Sequence, residues 1–337
     1  MTGITRNIGS SEVHPIGLGC MNLSHAYGPA QERKEAIAFL QKAVDIGYNF
    51  LDTATIYGMG ENEKLIGDAL KDRRERYVLA SKCVMGFADG KRSLNAKPEA
   101  IKSACTASLK RLQTDVIDLY YMHRPDPNVP IEDSVGALAD LVQEGKIRMI
   151  GLSEMSAEML QRAHAVHPIA AMQSEYSLMT RNPEIAVIQA CAQLGVTFVP
   201  FSPVGRGFLA DDPLTPDEYH KSDLRRTFPR FSDPHYSANL SLLKIAKWHA
   251  AELGITVAQL ALAWCLAQDP RCVPIPGTTR LKHLQDNFAA ADVVLSEDRL
   301  AELNNAFAPE TVSGLRYSAP AQATVTTERF EFEQQAG

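Results

Sequence analysis

Gly47-Tyr-Asn-Phe-Leu-Asp-Thr-Ala-Thr-Ile-Tyr-Gly-Met-Gly-Glu-Asn-Glu63 is the stretch on which the reading of this chain turns. Residues 48–51 form an apolar run of strand length, and Asp52 stands where that strand ends. Tyr57 follows on a short loop with Gly58 and Gly60 behind it. Glu61, Asn62 and Glu63 then open a helix, the acidic residues suiting its positive end. A carboxylate at the C-terminal end of a strand and a tyrosine on the next loop suit the active face of an α/β barrel.

The segments on either side repeat the strand–helix unit. Before it, 16–21 reads as a short strand running into a glycine-containing loop. A helix over 32–46 follows, with Ile37, Leu40 and Val44 on one face and Gly47 ending it. Residues 1–15 suit a small hairpin capping one end of the fold. After it, strands are expected at 77–83, 116–122, 147–153, 169–174, 196–201 and 272–277. The matching helices fall at 61–71, 98–112, 131–144, 157–166, 184–194, 238–253, 256–268 and 281–290. Gly86 and Gly90 mark a loop after the third strand. Counting 16–21 and 48–51, eight apolar strands alternate with helices, which predicts a closed (β/α)8 barrel of the TIM type in one domain over 1–337. An N-terminal hairpin cap, a long loop after strand 7 and a C-terminal tail from about 312 complete it. The 202–237 connection is too long for a plain loop and reads as a lid or binding segment.

Composition narrows the function classes. Hydrophobic and charged fractions of 45% and 22% over 337 residues are those of a globular chain with a large core. A net charge of −6 with no Lys/Arg run, only local pairs such as Arg225-Arg226, argues against a nucleic-acid partner. No apolar stretch reaches membrane-span length and no signal-peptide pattern opens the chain, so a cytoplasmic protein without a membrane partner is expected. Cys20, Cys83, Cys105, Cys191, Cys265 and Cys272 form no CxxC pair and read as reduced core thiols, not metal ligands. No GxGxxG follows the first strand, so the Rossmann fingerprint is absent.

Polar residues collect at the strand ends: Asp52, Lys82, His123, Ser153 and Gln173, with Tyr57 on the second loop. Asp and Lys beside apolar strands are costly unless paired, and Asp52 and Lys82 come from neighbouring strands. A lysine next to Tyr57 is expected to lower its phenol and make it a proton donor, with His123 polarising a carbonyl oxygen.

Seven motifs together resemble the aldo-keto reductases across essentially the whole chain. They are Phe50-Leu-Asp-Thr-Ala-Thr-Ile-Tyr-Gly58, Ala80-Ser-Lys82, Asp118-Leu-Tyr-Tyr-Met-His123, Gly145-Lys-Ile-Arg-Met-Ile-Gly-Leu-Ser153, Gln173-Ser-Glu-Tyr-Ser177, Pro200-Phe-Ser-Pro-Val-Gly205 and Pro276-Gly-Thr-Thr-Arg280. The resemblance implies an NADPH-dependent oxidoreductase acting on a small carbonyl compound. It implies an Asp-Tyr-Lys-His tetrad, matched by Asp52, Tyr57, Lys82 and His123. It also implies that Gly19, Cys20, Met21 and Asp52 lie along the cofactor and that Ser153 and Gln173 hold the nicotinamide carboxamide. Phe201 would stack on the ring, where many relatives have Tyr. Ser202, Pro203, Gly205 and Gly207 would follow the pyrophosphate. Gly277, Thr279 and Arg280 would take the 2′-phosphate, with His283 and Asn287 near the adenosine. A helix N-terminus carrying hydroxyls and an arginine independently suits a phosphate at 276–280. Glu154 departs from the pattern, standing where many members have Asn. Tyr27, Met85, Phe87, Arg124 and the 225–231 segment are the candidates for the substrate pocket, and the first three suggest an apolar mouth. A regulatory subunit like those of potassium channels is the alternative within this resemblance. A metal-dependent barrel hydrolase would need more strand-end His, Asp and Glu than the chain offers. The oligomeric state is not legible.

Overall fold

Seven parallel strands run in chain order around a barrel: Leu18–Gly19, Phe50–Asp52, Val78–Cys83, Ile117–Met122, Ile147–Ser153, Ile169–Glu175 and Thr197–Phe201. The computed structural model describes residues 4–88 and 91–335. The eighth strand, expected at 272–277, closes the ring by another pattern. Val273 and Ile275 donate their N–H groups to Phe198 O (2.8 Å) and Pro200 O (3.0 Å) of the seventh strand. On the other side, Pro274 O and Pro276 O accept from Gly17 N (3.0 Å) and Gly19 N (3.1 Å) of the first. Pro274 and Pro276 have no N–H to return, so this strand pairs through isolated bridges, Phe198 with Cys272 and Gly19 with Gly277. The architecture is that of a (β/α)8 barrel with helices outside.

The expected N-terminal hairpin is present, pairing Arg6–Ile8 with Ser11–Val13. Ile8 and Val13 plug the barrel bottom against Phe50, Ala80, Leu119, Ala171 and Val199. Arg6 ties the plug to the carbonyls of Leu266 (2.7 Å), Asp269 (2.9 Å) and Cys272.

The outer ring follows from helical periodicity. In Ile131–Gln143, residues Ile131, Val135, Leu138 and Leu141 face the sheet, each contributing roughly 1.5–3 kcal/mol by burial. Pro98–Leu112 starts with its proline in the first turn, and Arg33–Ile46 ends at Gly47 with φ 123°.

Four expectations are corrected. The loop after the third strand is an antiparallel hairpin, Met85–Ala88 with Lys91–Leu94; Gly86 lies within its first strand and Gly90 lies outside the described residues. The sixth helix begins at Val187 rather than 184, because Ala186 adopts φ −153° and separates it from a 3-10 turn at Asn182–Glu184. The helix expected from 238 begins at His235. Glu297–Ala306 is a further helix, capped by Ser296 and anchored by Asn304 Oδ1, which accepts from Trp264 Nε1 at 2.9 Å.

Candidate active site

Strand alternation builds the site. The residues whose side chains fill the barrel interior include Phe50, Ala80, Leu119, Tyr121, Ala171 and Val199, with Met149 packed against them. Successive side chains on a strand alternate faces, so the interior positions continue in steps of two to the C-terminal rim. From these residues the steps lead to Asp52, Lys82, His123, Ser153 (through Gly151), Gln173 and Phe201. The apolar period that makes the core therefore aims the polar residues inward at the barrel mouth.

The four residues of the expected tetrad meet there. Lys82, 1% exposed, forms an ion pair with Asp52, 2% exposed. Its Nζ also donates to Thr53 O at 2.8 Å and reaches Tyr57 Oη at 3.5 Å. Gln173 Nε2 donates to the other Asp52 oxygen at 2.9 Å, so the carboxylate is held from both sides. The Tyr57 and His123 rings stand edge to face with centroids 5.8 Å apart. Tyr121 lies under the cluster, 5.7 Å from Lys82 Nζ. Its ring crosses Gly151 of the neighbouring strand, where a Cβ would come within 2.4 Å of it. Left-handed backbone at Gly58, Met59 and Gly60 turns the second loop so that Tyr57 returns over the mouth.

The electrostatics correct one expectation. Burial raises the Tyr57 phenol above its ordinary value; Lys82 opposes this, and Asp52 supports it. Burial outweighs the lysine, whose effect Asp52 partly offsets, so the phenol is not brought down. Burial alone would pull Lys82 down, but Asp52 and Tyr57 carry it above the ordinary lysine value, and it stays an ammonium. Burial holds the His123 imidazole well below its ordinary value, and Arg124, Lys82 and Arg92 add to this. At neutral pH the mouth therefore presents a protonated phenol, a neutral imidazole and a neutralised lysine.

The other expected site residues form two groups. Near the tetrad, Gly19 lies in register with Asp52, Cys20 N donates to Asp52 O at 2.9 Å, and Met21 starts a 3-10 turn. Ser153 Oγ accepts from Arg124 Nη1 at 3.3 Å. Phe201 is partly exposed at the rim, followed by a tight loop in which Ser202, Gly205, Arg206 and Gly207 are left-handed and Pro203 is buried. At the second group, Gly277, Thr279, Arg280 and His283 are exposed at the start of Leu281–Ala289, while Asn287 is buried. Thr278, not Thr279, receives the backbone N–H of Arg280 on its hydroxyl, at 3.1 Å. Arg280 has no acidic partner among the described residues and is available to an anion.

Of the substrate-pocket candidates, Arg124 borders His123, and Met85 and Phe87 lie on the hairpin after the third strand. Tyr27 lies 5.2 Å from the Arg225 guanidinium, and Leu224 N donates to Ala26 O at 2.8 Å. The long connection thus reaches across to the first loop. Within the 225–231 segment Arg225 and Arg230 are buried, so these cations brace the connection: Arg225 on Asp223, Arg230 on Thr180 Oγ1 (2.8 Å) and Gly314 O (2.9 Å).

Sequence reasoning missed His25, whose ring lies 5.5 Å from Tyr57. It also missed the partners of Glu154. This residue is fully buried and left-handed. It accepts from Arg316 (2.7 Å), Thr327 Oγ1 (3.0 Å) and Glu175 N (2.8 Å), and Glu175 in turn pairs with Arg206 (2.7 Å). The C-terminal segment is thereby tied to the ends of the fifth and sixth strands and to the 205–207 turn. No local pattern announces a pairing across this length of chain.

The chain matches the aldo/keto reductase family over residues 15–307. It is 44% identical over 322 residues to the aldo-keto reductase yakc [NADP(+)] of Schizosaccharomyces pombe, covering 93% of this chain and 94% of that protein. It is 43% identical to a probable aldo-keto reductase 1 of Glycine max, covering 91% and 89%. Among solved structures it resembles the glycerol dehydrogenase AKR11B4 of Gluconobacter oxydans, with a TM-score of 0.83 and 25% identity over 92% of this chain and 97% of that one. It also resembles an aldo/keto reductase of Klebsiella pneumoniae in complex with NADP and acetate, with a TM-score of 0.71 and 29% identity over 93% and 98%.

Proposed function

The chain belongs to the aldo/keto reductase family, and on that premise we propose that it reduces an aldehyde or ketone to the alcohol with NADPH, Tyr57 supplying the proton. The reverse direction would make it an NADP+-type alcohol dehydrogenase. The observation that carries the reading is the buried Lys82, ion-paired with Asp52 and within 3.5 Å of Tyr57 Oη, with the His123 ring edge to face with the Tyr57 ring.

The residues present fit the cofactor. Gln173 and Ser153 carry amide and hydroxyl groups on the inner rim, beside the partly exposed Phe201 ring. Gly277 leaves room that a Cβ would fill against Asn22 Oδ1 at 3.0 Å, and Arg280, at a helix start, has no acidic partner among the described residues. NADPH, when bound, supplies the hydride. Tyr57 transfers its proton to the carbonyl oxygen as the carbon accepts that hydride. Lys82 stabilises the phenolate left behind, Asp52 with Gln173 fixes Lys82, and neutral His123 polarises and positions the carbonyl. The contact of Leu224 and Arg225 with the first loop supports a strap over the cofactor groove. The six buried unpaired thiols support the expected cytoplasmic location.

The test is fluorescence titration with NADPH followed by turnover of a neutral aromatic aldehyde, read by loss of NADPH absorbance. Tyr57→Phe should lower kcat by roughly a hundredfold to ten-thousandfold, the share of a general acid, with NADPH affinity nearly unchanged. Undiminished turnover in that variant removes Tyr57 from the donor role.

A further inference from the structure

Two guanidinium groups at the barrel mouth have no acidic partner among the described residues. Arg124 directly follows His123. Its Nη1 donates to His123 O at 2.7 Å and to Ser153 Oγ at 3.3 Å, two neutral acceptors that fix the plane of the group. The opposite edge, Nε with Nη2, makes no hydrogen bond among the described residues, and Nε is shielded from solvent. Two parallel N–H groups on one planar edge are the arrangement that takes a carboxylate bidentately. Arg92 lies on the hairpin after the third strand, opposite Phe87. Its positive field reaches both His123 and His25, whose ring lies beside Tyr57.

The charge balance at the mouth sharpens the point. Lys82 is neutralised by Asp52, and both imidazoles are pushed towards the neutral form. Arg92 and Arg124 have no acidic partner among the described residues, in a chain whose net charge is −6. Elsewhere the buried arginines Arg225 and Arg316 meet carboxylates, and the buried Arg230 is satisfied by carbonyl and hydroxyl oxygens. The unpaired Arg124 Nε, screened from water, carries a desolvation cost that an anionic ligand would remove.

We propose that the carbonyl compound reduced here carries an acid group, held on the Nε–Nη2 edge of Arg124 with Arg92 completing the positive wall. The inference rests on the reductase reading above and names the substrate class of that site: an aldehyde or ketone acid rather than a neutral carbonyl. The expected apolar mouth of Tyr27, Met85 and Phe87 then becomes a wall for the carbon skeleton between the two ends. The acid group takes no part in the chemistry. The carbonyl carbon gains the hydride, its oxygen gains the Tyr57 proton, and the carboxylate leaves as it entered.

The test compares 2-, 3- and 4-carboxybenzaldehyde with their methyl esters, using NADPH and wild-type enzyme. At least one free acid should exceed its ester in kcat/KM by about tenfold or more, the worth of a charge-assisted hydrogen-bonded pair. Arg124→Gln should collapse that ratio towards one, and Arg92→Gln should reduce it several-fold. Esters turned over as well as or better than all three acids would overturn the proposal while the reductase reading stands. No turnover of either set, with NADPH bound, would remove both. The wild-type ratio decides the matter even where a variant does not fold.

Discussion

Glu154 and Arg316, far apart in the chain, form a buried bidentate ion pair, with Arg316 Nη2 2.7 Å and Nη1 3.3 Å from the two carboxylate oxygens. The pair fastens the C-terminal segment to the residue that follows Ser153, and Thr326 N donates to Glu154 O at 3.0 Å beside it. Both side chains are almost wholly withdrawn from water. Breaking such a pair from one side leaves an uncompensated buried charge. Glu154→Gln should therefore cost about 3–5 kcal/mol of folding stability. Glu154→Gln combined with Arg316→Met, which removes both charges, should recover much of that loss. Urea denaturation of the two variants checks this. A single substitution costing less than the double would show that the pair is not what holds the segment.

Arg280 should set the cofactor preference. It is exposed, has no acidic partner among the described residues and precedes Leu281–Ala289. Arg280→Ala should reduce the NADPH-over-NADH ratio of kcat/KM by roughly tenfold or more, the worth of the lost charge-assisted contacts, chiefly through KM. The kinetics of both nucleotides with one aldehyde decide it. An unchanged ratio would place the 2′-phosphate contact elsewhere.

The pH dependence follows from two directions of shift. The Tyr57 phenol is raised, by burial first and against Lys82. It therefore stays protonated through neutral pH, and its contribution to reduction should be flat up to at least about pH 10, the ordinary tyrosine value. With Tyr57 in the proposed donor role, oxidation of the alcohol would draw on the phenolate and should rise with pH in the alkaline range. His123 is held well below its ordinary value by burial and by Arg124, Lys82 and Arg92. Below about pH 6.5 the unfolded imidazole takes up a proton that the folded one refuses, so stability falls as pH falls. His123→Asn should flatten that acid limb by up to about 1.4 kcal/mol per pH unit. Denaturation midpoints of both proteins through the acid range measure the difference.

How much of this was legible in the sequence divides along the length of the interactions. The barrel strands are apolar runs bounded by Gly, Pro and polar residues, and their period of two carries Asp52, Lys82, His123, Ser153 and Gln173 to one rim. That information is local, and the strand-end reading recovered it. The hairpin at Met85–Ala88 is not legible as strands because its glycines and charged residues mask a weak two-stranded signal. The eighth strand is legible as a segment, but its two prolines turn a ladder into bridges. The Glu154–Arg316 pair joins distant parts of the chain, and only the folded barrel brings them together. The direction of the Tyr57 shift is not legible locally because it is set first by burial, which only the folded mouth supplies, and Asp52 adds to it against Lys82.

Two glycines offer a matched test of how packing supports the site. At Gly151 an added Cβ would lie 2.4 Å from the Tyr121 ring, the ring that lies 5.7 Å from Lys82 Nζ. Gly151→Ala must displace that ring, and an overpacked core position costs about 1–3 kcal/mol. Because the ring forms the floor beneath Lys82, kcat for carbonyl reduction should fall while NADPH affinity changes little. Gly136 lies within the helix Ile131–Gln143, with nothing within 4 Å of an added Cβ. Gly136→Ala should stabilise the protein by about 0.4–1 kcal/mol through the entropy of the unfolded chain and leave kcat unaltered. Thermal denaturation and steady-state kinetics of both variants separate the two cases. Equal kcat values in the two variants would show that the Tyr121 ring does not set the position of Lys82.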